Sequence, residues 1–103
     1  MRVELHPEAR AELRATAIWY EEQRPELGDE LLAEVSSTLD RITEAPTSFP
    51  VWPGTPSVPG TIRRAVLERF PYVVAFEMFD DHLLVLAVAH AKRRPLYWLR
   101  RAF

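Results

Sequence analysis

Tyr72-Val73-Val74-Ala75-Phe76-Glu77-Met78-Phe79-Asp80-Asp81-His82-Leu83-Leu84-Val85-Leu86-Ala87-Val88-Ala89-His90 is the stretch on which the fold turns. It reads as two strands, Tyr72–Phe79 and His82–His90, because largely apolar runs of strand length lie either side of an Asp-Asp turn signal. Both strands are apolar on both faces, which places them at the centre of a sheet covered from two sides. Just upstream, Thr61–Arg69 is a third strand. It carries Arg63 and Arg64 and therefore one wetter face. Phe70-Pro71 makes the corner before Tyr72, since proline lacks a ladder donor.

Further upstream, residues 46–60 hold five of the nine prolines and no charge. Proline fixes φ and removes donors, so this segment is expected to lie as an ordered loop on the body, anchored by Phe49, Val51 and Trp52. Before it, Leu31, Leu32, Val35, Leu39 and Ile42 recur at helical spacing and predict a helix from Asp29 to Ala45. Pro25-Glu26-Leu27-Gly28 reads as a break. Ahead of the break, Ala9, Leu13, Ala17 and Tyr20 form the stripe of a helix from Pro7 to Arg24, widened by Ile18 and Trp19. Proline at its first position and Glu8 in its first turn suit a helix start. Arg2-Val3-Glu4-Leu5 alternates like an edge strand. The order is β-α-α-β-β-β, an α+β fold with a helical hairpin packed on a mostly antiparallel sheet. A basic tail, Lys92 to Phe103, follows the last strand.

The 103 residues are 48 % hydrophobic and 27 % charged, the profile of one globular domain spanning 1–103. With no cysteine there is no disulfide frame or thiolate site. No metal-ligand spacing or glycine-rich phosphate loop occurs, so neither a metal nor a cofactor is expected. The start reaches Pro and Glu at once and reads as no signal peptide. The longest apolar run is too short to span a bilayer, so a cytoplasmic protein is expected. The net charge of −2 hides an asymmetry: residues 1–60 carry 5 basic and 11 acidic side chains, and residues 61–103 carry 8 and 4. A pI near 5.9 argues against nucleic-acid binding over the whole surface, yet leaves room for a cationic patch on one face.

Four segments together resemble the RelE/ParE superfamily of type II toxin–antitoxin toxins: Ala17–Gly28, Ile62-Arg63-Arg64, Arg69–Val74 and Ala87–Trp98. The resemblance implies a plasmid-stabilisation-like toxin neutralised by direct binding of a cognate antitoxin, with DNA contacted only through that antitoxin. It leaves two targets open. The RelE branch cleaves ribosome-bound messenger RNA without metal. The ParE branch poisons DNA gyrase and has no nuclease activity.

Metal-free RNA cleavage needs a base, an acid and cations at the phosphate. The nuclease branch places a catalytic arginine and a tyrosine after the last strand, where this chain has Arg93 and Tyr97. Arg64 and His90 complete the candidate catalytic set, His90 because its pKa range suits proton transfer. Equally, His90 reads as a hydrogen-bonded structural residue. Two departures oppose cleavage: Tyr72 precedes Val73 where that branch has arginine, and residues 46–60 lack lysine. Phe70-Pro71-Tyr72 and His90-x-x-Arg93-Arg94-Pro95 stand closer to ParE. Arg63, Lys92, Arg94, Trp98, Arg100 and Arg101 are the candidates for binding target or antitoxin. Arg63 and Arg64 alternate across their strand, so one of them is expected to pair with Glu21 or Glu22. His6 is expected at the helix start and His82 beside a turn. Trp19 and Tyr20 are expected in the helix-to-sheet core.

Overall fold

The computed structural model describes residues 1–56 and 60–102, so positions 57–59 of the proline-rich loop and Phe103 lie outside the described residues. The elements are β1 (Arg2–Leu5), α1 (Pro7–Gln23), α2 (Leu27–Glu44), β2 (Thr61–Val66), β3 (Tyr72–Met78) and β4 (His82–His90). The sheet order is β1-β4-β3-β2. β1 runs parallel to β4, and the other pairs are antiparallel.

Local chemistry accounts for the helix ends. His6 caps α1, its Nδ1 accepting from the Glu8 backbone N–H, with proline at the first helical position. Between the helices the break is narrower than Pro25–Gly28. Glu26 takes a left-handed conformation (φ 75°), and the Glu21 carboxylate accepts from the N–H groups of Glu26 and Gly28. Leu27 and Gly28 thus already belong to α2. Gly28 serves close packing: a Cβ there would sit 2.4 Å from the carbonyl oxygen of Ala17.

Two apolar cores flank the sheet, as strands apolar on both faces require. On one side Ala9, Ala17, Leu31, Val35 and Ile42 of the hairpin pack against Ala65, Val74, Phe76, Leu83, Val85 and Val88. On the other, Trp98 of the tail packs against Ile62, Ala75, Leu86, Ala87 and Ala89, with Trp52, Leu96 and Leu99 around it. A register shift between Ala75 and Phe76 places Ala75 opposite Ala87 and Phe76 opposite Val85. Leu86 is the extra residue, so Leu86 and Ala87 both reach the tail-side core. Phe49 meets Phe76 edge-on, and Trp52 meets Trp98 edge-on at 4.9 Å between centroids.

Several expectations are corrected. β2 ends at Val66 rather than Arg69, because Glu34 of α2 accepts from the backbone N–H groups of Glu68 and Arg69 and turns the chain there. Ile18, Trp19 and Leu32 are exposed, so neither hairpin stripe is as wide as the apolar residues suggested. Val51 is exposed and holds its loop by a bridge to Arg63. Glu77 is buried on β3, where burial pushes its carboxyl upward; one oxygen accepts from the Gly60 N–H. Among the described residues no helix is long and apolar enough to cross a membrane.

Candidate functional site

At the Tyr72/His90 end of the sheet the tail folds back over the face opposite the helices. The N–H of Ala91 donates to Pro71 and that of Arg93 to His90, which turns the chain out of β4. Trp98 then docks in the tail-side core and the chain closes with a short 3₁₀ turn, Leu99–Ala102. Between this tail, β2 and β3 lies a cleft of about 270 Å³. Trp52, Arg64, His90, Arg93, Arg94 and Tyr97 are among the residues lining it. The structure therefore brings Arg64, His90, Arg93 and Tyr97 into one site.

The cations are not equally available. Glu12 of α1 reaches across to the tail and is the hub of a network. Its carboxylate accepts from Tyr97 Oη at 2.5 Å, from Arg101 Nη1 and Nη2 at 3.0 and 3.1 Å, and from the Val88 N–H. Arg93 lies 3.7 Å from the same carboxylate, with its guanidinium carbon 3.7 Å from the Tyr97 ring centroid. Arg100 and Arg101 also pair with Glu8, one turn earlier on α1. Arg101 is thus a buried structural cation, its side chain 6 % exposed, and it also donates to the Leu86 carbonyl. Trp98, at 1 % exposure, is a core residue that also forms part of the cleft wall. Lys92 and Arg94 are exposed, and among the described residues neither has an ion pair; nor has Arg64, which stands 5.9 Å from the Trp52 ring centroid. Arg63 points to the other side of β2 and donates to the Phe49 carbonyl. Neither arginine pairs with Glu21 or Glu22: the Glu21 carboxylate is committed to the interhelical turn.

The titratable groups are committed as well. His90 Nδ1 accepts from the Lys92 N–H, so the neutral ring carries its proton on Nε2 and presents a donor there rather than a base. Burial and the hydrogen bond to Glu12 push the Tyr97 phenol up to about 12. Its protonated form is the one the fold favours. This contribution to stability is fully present below about pH 10, the ordinary phenol value, and is lost as pH rises through about 12. Alkaline titration followed at 295 nm is expected to show a phenol ionising near pH 12 that disappears in Tyr97→Phe; an unchanged curve would disprove the assignment.

Glu12, which holds the tail network, and Trp52, which lines the cleft, are the residues of this region that the sequence does not single out. Glu12 had one signal, its i,i+4 spacing from Glu8 on a helix facing a basic tail. Trp52 was read only as a packing anchor. Among the described residues no group of three His, Cys, Asp or Glu side chains is placed to hold a metal ion.

With this arrangement established, comparison with known proteins assigns the family. Residues 3–95 match the family described as the ParE toxin of type II toxin–antitoxin system, parDE. The chain belongs to the ParE toxin family. A solved structure titled "Chromosomal ParDE TA system from P. aeruginosa" is similar at a TM-score of 0.70 and 21 % identity, covering 87 % of this chain and 95 % of that one. At that identity the likeness establishes the shared fold. No curated protein matches the chain in sequence. The ParE match takes in Glu12, Arg64, His90, Arg93 and Arg94 but stops at Pro95, before the Tyr97–Arg101 lock.

Proposed function

We propose that this ParE-family toxin acts by binding rather than by cleavage: it inhibits a cellular target, DNA gyrase being the one the family resemblance implies, through the cationic cleft. The observation that carries this reading is that the cleft offers cations and aromatic faces but no poised base. His90 presents a donor at Nε2, and the Tyr97 hydroxyl is held by Glu12. The free cations Lys92, Arg94 and Arg64 are the contact residues of choice. A cognate antitoxin neutralises the toxin in the cytoplasm by covering exposed apolar residues of the hairpin together with part of this cationic patch. An acidic antitoxin complements it best.

A ribosome-dependent endoribonuclease is the second reading, favoured by the convergence of Arg64, His90, Arg93 and Tyr97 in one cleft. Induction of the chain alone in a bacterial host separates the two. Growth arrest with intact transcripts and accumulating double-strand breaks is expected, and Lys92→Glu with Arg94→Glu is expected to reduce killing at least tenfold. Transcript cleavage within codons, abolished by Arg93→Ala with Tyr97→Phe, would overturn the binding reading in favour of cleavage.

A further inference from the structure

Arg10, Arg14, Ile18 and Glu22 follow one another at four-residue spacing and so form one continuous row along α1. Arg14 is two residues, about 200° of helix rotation, from Glu12, so the row faces away from the tail network. Ile18 at its centre is 55 % exposed. Arg10, Arg14 and Glu22 are exposed, and among the described residues none of them has an ion pair or a side-chain hydrogen bond. On one flank the small residues Ala11 and Ala15 help line a groove of about 380 Å³. On the other, Leu32 and Ala17 line a second groove toward α2.

We propose that this row is a self-association face, through which two copies of the chain pair with α1 antiparallel to α1. In such a pair centred on Ile18, each position before residue 18 meets the position equally far after it in the partner. Ile18 meets its own copy on the two-fold axis. Arg14 meets Glu22 of the partner subunit, and the symmetry makes that ion pair twice. The Arg14–Ile18 ridge enters the groove beside Ala11 and Ala15, as ridge-into-groove packing requires. The row is its own complement, a cation one turn before the apolar centre and an acid one turn after it, which selects a second copy as the occupant. Parallel pairing would set Arg14 against Arg14 and Glu22 against Glu22. One helix face buries less than a permanent dimer needs, so the association is of the weak, micromolar class. The proposed antitoxin covers the same exposed Ile18, so a bound antitoxin and a second copy exclude each other there, and the free chain is the form that pairs.

Sedimentation equilibrium of the full chain at low salt tests it. A dimer with Kd on the order of 10–100 µM is expected, weakening as salt is raised. Arg14→Glu and Glu22→Arg are each expected to raise Kd at least tenfold, since each turns two attractive contacts into two repulsive ones. Both positions are exposed, and unchanged far-UV circular dichroism confirms that the variants fold. The decisive result is exchange: an equimolar mixture of Arg14→Glu and Glu22→Arg chains associates, and the Arg14→Glu/Glu22→Arg double variant dimerises like the natural chain. A chain monomeric to about 500 µM, single variants that dimerise as well as the natural chain, or a mixture that does not associate would each overturn the proposal and leave the face to another partner.

Discussion

Glu12→Ala is expected to cost the fold about 3 kcal/mol, read as a fall in Tm of roughly 12 °C or more for a domain of this size. Glu12 receives four hydrogen bonds from three parts of the chain: β4, Tyr97 and both terminal nitrogens of Arg101. Removing the carboxylate leaves Arg101 charged, since a guanidinium does not deprotonate in this range, and almost wholly buried. Its other acid, Glu8, stands 3.4 Å away and half in water. An uncompensated buried cation costs more than the pair contributed, which is why deleting one partner exceeds the value of the bridge. Glu12→Gln keeps an acceptor for the Val88 N–H and is expected to lose about half as much. Arg101→Met with Glu12→Leu removes both charges and is expected to recover most of the loss. Chemical and thermal melts of the four chains check the series; a loss under about 1 kcal/mol in Glu12→Ala would show that the network is not coupled to folding.

The same network explains how far the sequence could be read. Local pattern located both α-helices and the four strands: Leu31, Val35 and Ile42 declare a helical face regardless of what covers it, and the central strands show as apolar runs. The two-sided core was also legible, since no one-sided sheet tolerates strands such as Leu83–Ala89. Ends were less so. The stop of β2 is set by Glu34, more than thirty residues away, and no local signal announces it. The tail was the harder case. Lys92, Arg93, Arg94, Arg100 and Arg101 look alike as a basic run, and only tertiary contact with Glu8 and Glu12 divides them into neutralised and free cations. Tryptophan is similarly ambiguous. The sequence suggests Trp19 for the core and Trp98 for binding a partner, whereas the structure exposes the first and buries the second. Burial of a large side chain depends on which face of a turn or helix the fold covers, and near an irregular tail no period reports that.

Trp98→Ala is expected to be the most destabilising single change among the tryptophans, about 3–5 kcal/mol, the range for emptying a buried aromatic site. Its indole is 1 % exposed among Ile62, Ala75, Leu86, Ala87 and Ala89, and Trp52 packs edge-on against it. Trp19→Ala is the matched control: the same atoms leave a helix surface 53 % exposed, and the cost is expected within about 0.5 kcal/mol. The loss at Trp98 also carries a functional consequence that its energy alone does not convey. Arg93, Arg94 and Tyr97 line the cleft only because the tail is pinned to the sheet, with Trp98 on one side and the Glu12–Arg101 pair on the other. Trp98→Phe keeps an aromatic anchor and is expected to retain both the fold and the cleft. Trp98→Ala is expected to free the tail, which amide hydrogen exchange would report as lost protection at the Leu99 and Arg101 N–H groups that now donate to Leu96 and Trp98. Protection retained there in a folded Trp98→Ala chain would mean that the ion pairs to α1 hold the tail unaided.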